Sequence, residues 1–148
     1  NIIKKNNLPL KVSEINAFVV GSKYEYDLLI LKENSLCNNF AYNYEDVKAI
    51  IECKVNGLYD PVKNTDSIAK AVNEVRRLNK DFSFGYITFS EVVPKYKTSV
   101  HYWNLTEKFL KEKVIGSHLF AITLRTGNQV IKTTTTEDFE KFILKLIN

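Results

Sequence analysis

VKAIIECKVNG, from Val47 to Gly57, is the stretch whose reading decides the fold. Val47, Ala49, Ile50, Ile51, Cys53 and Val55 make it a near-continuous apolar run, the pattern of a strand covered on both faces of an α/β sheet. Glu52 and Lys54 interrupt its second half. Side chains alternate across a strand, so Ile50, Glu52 and Lys54 share one face and Ile51, Cys53 and Val55 the other. A carboxylate and an ammonium on a covered strand cost free energy unless they are paired, hydrated or bound to a metal. An i, i+2 ion pair at a fraying strand end would satisfy them. The context upstream opens a second reading.

Tyr26 to Lys32, YDLLILK, is another apolar run, and it opens with a charge, Asp27. It closes a longer strand expected over Tyr24 to Lys32. Asn16 to Val20 is a short strand before it, with Gly21-Ser22-Lys23 as turn chemistry, so the two form a hairpin or meander. Residues 1 to 15 are polar, broken by Pro9, and read as a loop or short edge strand. The chain begins at Asn1 and contains no methionine, which suggests a trimmed fragment or a missing N-terminal helix. Asn34 to Asn43 reads as a polar loop.

Downstream, Asn56-Gly57 is a turn and Pro61 to Asp66 a connector ending in the N-cap candidates Asn64, Thr65 and Asp66. A helix follows to about Lys80, its stripe Ile68, Ala71, Val72, Val75 and Leu78. Phe82 to Phe89 is a core strand and Glu91 to Lys97 a loop. Ser99 to Val114 is a second helix, with Trp103, Thr106, Phe109, Leu110 and Val114 inward and Gly116 closing it. Leu119 to Arg125 is a strand, Gly127-Asn128 a turn, and Gln129 to Thr133 pairs back. Thr134 and Glu137 have capping-box spacing before a last helix with Phe139, Phe142, Ile143 and Leu146 inward. The order β-β-β-α-β-α-β-(β)-α implies a mixed sheet flanked by helices.

The 148 residues suit a single domain with a sizeable core. No apolar run approaches a membrane span, and no secretory signal is visible. Cys37 and Cys53 lack metal-ligand spacing and are expected to be unpaired, which fits a reducing cytoplasm; Cys53 is expected in the core. The net charge of +4, from 21 basic and 17 acidic residues, is compatible with a polyanionic partner.

If the two charged strands pair as neighbours, Asp27 and Glu52 converge at one end of the sheet. Two carboxylates and a backbone carbonyl make a hard oxygen site suited to Mg²⁺, and Lys54 lies one strand step from Glu52. An Asp followed by E-x-K on adjacent strands, with a helix after them, resembles the PD-(D/E)xK nuclease superfamily of the restriction-endonuclease-like fold. EYDLLILK and EDVKAIIECK are also similar to uncharacterised bacterial nuclease-like domains. The similarity spans about residues 16 to 91. It implies a metal-dependent nuclease acting on nucleic acid, with DNA the expected substrate and a 5′-phosphate product. Asp27 and Glu52 would bind Mg²⁺ or Mn²⁺ with the carbonyl of Cys53, and Lys54 would assist hydrolysis. Tyr26 stands where the motif has proline. The acidic residue that many members carry on an N-terminal helix has no evident counterpart, Glu14 and Glu25 being the nearest. The helical glutamine of the exonuclease branch is missing.

Other groups read more plainly. His101 and His118 lack partners at ligand spacing. Lys70, Arg76 and Arg77 on the helix, and Lys95 and Lys97 in the loop, are either solvated faces or contacts to a nucleic-acid backbone. Tyr24, Tyr26, Tyr42 and Tyr44 gather near the charged strands, as packing or as a surface for a base. The alternative to an enzyme is an inactive nuclease-fold protein serving as a nucleic-acid-binding or assembly module. At this size a DNA-cutting enzyme is expected as a homodimer or as part of a larger chain.

Overall fold

A computed structural model describes residues 2–54, 60–88, 99–122, 124–126 and 129–147. A short helix α1 (Ile2–Lys5) precedes β1 (Leu10–Val12), β2 (Ala17–Val19), β3 (Glu25–Tyr26) and β4 (Leu28–Lys32). Next come β5 (Cys37–Asn38), β6 (Ala41–Tyr42), a 3₁₀ turn over Tyr44–Asp46, and β7 (Val47–Lys54). The rest is α2 (Pro61–Leu78), β8 (Ser83–Thr88), α3 (Ser99–Lys113), β9 (Ser117–Ala121), β10 (Leu124–Thr126), β11 (Gln129–Lys132) and α4 (Thr136–Leu144). A final 3₁₀ turn covers Lys145–Ile147.

The main sheet has the order β1-β4-β7-β8-β9. β4 runs antiparallel to both β1 and β7, and β8 and β9 continue parallel to β7. The parallel pairs need crossovers, and α2 and α3 supply them. Both faces are covered. Leu29, Leu31, Ile50, Phe84 and Tyr86 pack with Ile68, Val72 and Val75 of α2 and Leu110 of α3. Ile30, Ala49, Ile51 and Phe120 pack on the other face with Phe142 and Ile143 of α4. Gly85 belongs to that second layer: a Cβ there would stand 2.8 Å from Ile51 Cδ1, so its absence lets the α4 face close on the sheet.

Several expected boundaries move, each for a local reason. The strand read over Tyr24 to Lys32 is broken at Asp27: β3 joins a small sheet of order β3-β2-β6-β5, while β4 joins the main one. The polar loop expected over residues 34–43 holds the β5–β6 hairpin. α2 starts at Pro61, capped by Asp60 rather than by residues 64–66; Asp60 Oδ1 accepts from Lys63 N at 3.1 Å, and proline has no N–H to leave unpaired at the first turn. The strand expected over residues 119–125 is divided, β9 ending at Ala121 and β10 pairing with β11. The capping box of α4 sits one residue later than read, with Thr135 and Asp138 as its reciprocal pair.

Among the described residues, no helix is long and apolar enough to cross a membrane. Cys37 and Cys53 are both free and exposed, so Cys53 is not the core residue its alternation suggested. The run is covered only as far as Ile51, and the strand emerges from its cover beyond it.

The turn between β5 and β6 is Asn39-Phe40, both with positive φ (49° and 62°). This is the geometry of two-residue hairpins that favours Asn-Gly. Phe40 carries a Cβ into the left-handed region while its ring stays 62% exposed. Replacing Phe40 with glycine is therefore expected to raise the unfolding free energy by about 0.5–1 kcal/mol, the left-handed penalty less the added chain entropy. A higher denaturant midpoint at unchanged slope is the expected readout.

Candidate functional site

Register places the charged groups. Leu28 of β4 faces Ile51 of β7, so Asp27, the residue before β4, comes level with the Glu52 end of β7. The Asp27 carboxylate completes the contact itself: Cys53 N donates to Asp27 Oδ2 at 2.7 Å. A side-chain oxygen thus replaces a backbone acceptor where the β3–β4 break ends the ladder. In an extended strand a residue's N–H and C=O leave by the same edge, so the Cys53 carbonyl also looks towards the Asp27 side. Alternation sends Glu52 and Lys54 to the α2 face, where their side chains form an ion pair.

The electrostatics follow from this crowding. Burial pushes the Glu52 carboxyl above the usual carboxylate range, the Lys54 hydrogen bond opposes the rise, and the neighbouring Asp27 charge adds to it. For Lys54, burial pulls the ammonium down, but the hydrogen bond and charge of Glu52, with Asp27, leave it above its ordinary value. Lys54 is accordingly a cation in this arrangement, suited to neutralise charge or orient water rather than to act as a base.

Glu52 and Lys54 line a cleft of about 190 Å³ with Tyr24, Glu25, Asn64 and Ser67. Small-molecule pockets are usually ~300–1,000 Å³, so this one suits a group presented from outside better than an engulfed ligand. Larger hollows of about 420 and 430 Å³ flank β1. Glu52 and Lys54 open into the small one, while the Asp27 carboxylate turns to Cys53 N beside it.

A clamp holds the cleft's floor. Tyr26 is buried and its hydroxyl donates to Ala71 O of α2 at 2.9 Å, with Ser22 Oγ at 2.7 Å. Ser22 Oγ in turn donates to Glu74 Oε2 at 2.9 Å, and Lys23 N reaches the same oxygen at 3.2 Å. Burial pushes the Tyr26 phenol up to about 12. The residue in the motif's proline position thus ties β3, and with it Asp27, to the middle of α2. No periodicity signals this clamp; only the polar Ser22-Lys23 turn hints at it, since Glu74 lies off the apolar stripe of the helix in sequence and is half-buried only in the fold.

The remaining candidates separate. Arg76 donates to Ile115 O at 3.1 Å and lies 4.4 Å from the Phe82 ring centroid, and Asn73 donates to Lys113 O at 3.0 Å. Both residues of α2 thus close the C-terminal end of α3. Lys70 and Arg77 are exposed, Arg77 paired with Glu74. Lys95 and Lys97 lie outside the described residues. Glu25, weighed as a substitute acid, lines the cleft, and sequence spacing alone gave no reason to prefer it over Glu14. His118 packs on Phe142 and contributes to the opposite face.

Among the described residues, no three His, Cys, Asp or Glu side chains gather as a metal cluster. A cation here would rest on the two carboxylates of Asp27 and Glu52, the Cys53 carbonyl and water. Such a set fits Mg²⁺, which keeps several waters and takes one or two carboxylates. Neither a protein-family model nor a curated protein matches this chain.

Lys54→Met should expose the cost of this arrangement, since it leaves Glu52 unpaired with its side chain only 15% exposed. The expected loss is about 1–2 kcal/mol at pH 8, less than the ~3–5 for a fully buried pair because Lys54 is partly solvated. Without Lys54 the Glu52 carboxyl rises further above its unfolded value. The deficit should then be absent below the unfolded Glu range and grow as pH rises through the folded value. Urea unfolding of variant and parent at pH 5 and pH 8 measures this; an equal deficit at both would refute it.

Proposed function

We propose that this protein is a metal-dependent nuclease of the PD-(D/E)xK, restriction-endonuclease-like type, hydrolysing phosphodiester bonds of nucleic acid, with DNA the favoured substrate. The observation that carries the reading is the convergence of Asp27, Glu52 and Lys54 at the β4–β7 junction. The topology supports it: a three-strand antiparallel meander, then a helical crossover into a parallel strand. Fold likeness alone would not separate an enzyme from a binding module, so the case rests on the site.

Asp27 and Glu52 would hold the cation, and the Cys53 carbonyl would add a third oxygen. A bound Mg²⁺ or Mn²⁺ supplies Lewis-acid polarisation of the phosphodiester and a more acidic water. Burial first, and the Asp27 charge after it, raise the Glu52 carboxyl, and a cation held by the two carboxylates would offset both. Lys54, released from Glu52, would orient the attacking water and offset charge building on the phosphoryl oxygens. The water oxygen bonds to phosphorus, the bond to the 3′ oxygen breaks, and that oxygen takes a proton, leaving a 5′-phosphate. Lys70 and Arg77 are exposed cations on the helix that lines the cleft and would meet the backbone beyond it. A homodimer, or a place within a longer chain, would supply the extent of surface that duplex cleavage needs.

One observation favours the alternative of an inactive nucleic-acid-binding or assembly module. Both carboxylates are already satisfied without a cation, Asp27 by Cys53 N and Glu52 by Lys54. Cleavage of plasmid and short single strands, beside Mg²⁺ calorimetry, decides between them. Asp27→Asn and Glu52→Gln are expected to lose metal binding. Lys54→Met is expected to keep it and to lose roughly 10²–10³-fold in cleavage rate. Salt-sensitive binding without metal uptake or cleavage would establish the module instead.

A further inference from the structure

Tyr86 of β8 stands directly across from Glu52 in the parallel ladder and shares its face. It is fully buried in the cluster beneath α2 and α3. Yet its hydroxyl has no hydrogen-bond partner among the described residues. A buried hydroxyl in that condition bears the full cost of desolvation, which phenylalanine of the same shape would avoid. The contrast with Tyr26 is direct. That second buried tyrosine has its hydroxyl engaged with both Ser22 and Ala71. Arg76 Nε and Thr106 Oγ1 are also buried without a partner among the described residues, but it is Tyr86 that stands across from Glu52.

Glu52 has two carboxylate oxygens and little water, and its side chain is here engaged by Lys54. A cation bound in octahedral geometry takes one oxygen of such a carboxylate and leaves the other needing a donor. We propose that Tyr86 is a positioning residue for Glu52. When the Glu52 carboxylate turns from Lys54 to a divalent cation shared with Asp27, the Tyr86 hydroxyl donates to the oxygen the cation leaves. The same exchange frees Lys54 to face the substrate. This inference rests on the metal-site reading above, and no bond to carbon, oxygen or phosphorus changes in it.

The test is Mn²⁺ and Mg²⁺ titration calorimetry on the parent, Tyr86→Phe and Asp27→Asn, together with urea unfolding of each without metal. Tyr86→Phe is expected to match or exceed the parent's unfolding midpoint, because it deletes an unpartnered group. Its metal dissociation constant is expected to rise roughly 10–100-fold, the usual effect of removing a partner behind a ligand. Equal affinity in Tyr86→Phe and the parent, with binding lost in Asp27→Asn, would overturn this proposal and leave the metal site standing. A lower midpoint in metal-free Tyr86→Phe would also overturn it, since the hydroxyl would then already have a partner. A parent that takes up neither metal would remove the site and the proposal together.

Discussion

The antiparallel register of β4 on β7 is the constraint on which the rest depends. It pairs Leu28 with Ile51, Leu29 with Ile50 and Ile30 with Ala49, so Leu29 and Ile50 meet one layer and Ile30, Ala49 and Ile51 the other. A bulge past Ile30 then pairs Leu31 with Val47 in the first layer. A slip by one residue would turn Ile50 and Leu29 out of one layer and Ile51 and Ile30 out of the other. The same register brings Asp27 level with the Glu52 end of β7, where its carboxylate accepts from Cys53 N. Core packing and charge placement are thus one geometric fact. The sheet cannot hold its core without bringing the two carboxylates together.

That convergence sits against the physics of the surrounding layer. Tyr86 and Ile50 on the same face are wholly buried, and Glu52 is raised by burial and by Asp27. Lys54 makes the arrangement tolerable by engaging Glu52, and it remains a cation because it does so. Strand geometry fixes the spacing, since residues two apart on a strand share a face. The proposed chemistry would use the same tension: Asp27 and Glu52 would hold a divalent cation, and Lys54 would then be free to meet a phosphate.

Helix α2 ties this local charge problem to the global fold. On one side it receives the Tyr26 hydroxyl at Ala71 O and the Ser22 turn at Glu74. On another it closes the end of α3 through Asn73 and Arg76. The side chains that read as a basic face therefore do two different jobs. Arg76 is spent on helix closure and on the Phe82 ring, while Lys70 stays in solvent.

Much of this was legible in the sequence because it depends on short-range pattern. The apolar run from Val47, with its charges at Glu52 and Lys54, is enough to set a two-faced strand with an acid and a base on one side. The stripe through Ile68, Val72 and Val75 is enough to set an amphipathic helix. What the pattern could not supply was anything decided by partners distant in the chain. The break at Asp27 arises because β3 and β4 pair with different sheets, and Cys53 is exposed because β7 outruns its cover. Pro61 rather than a later residue starts α2, since Asp60 is there to cap it. The clamp of Tyr26, Ser22 and Glu74 and the unpartnered hydroxyl of Tyr86 are likewise tertiary facts. Periodicity reports which face of an element is apolar, whereas the fate of a single polar atom depends on which groups the fold brings within hydrogen-bond reach.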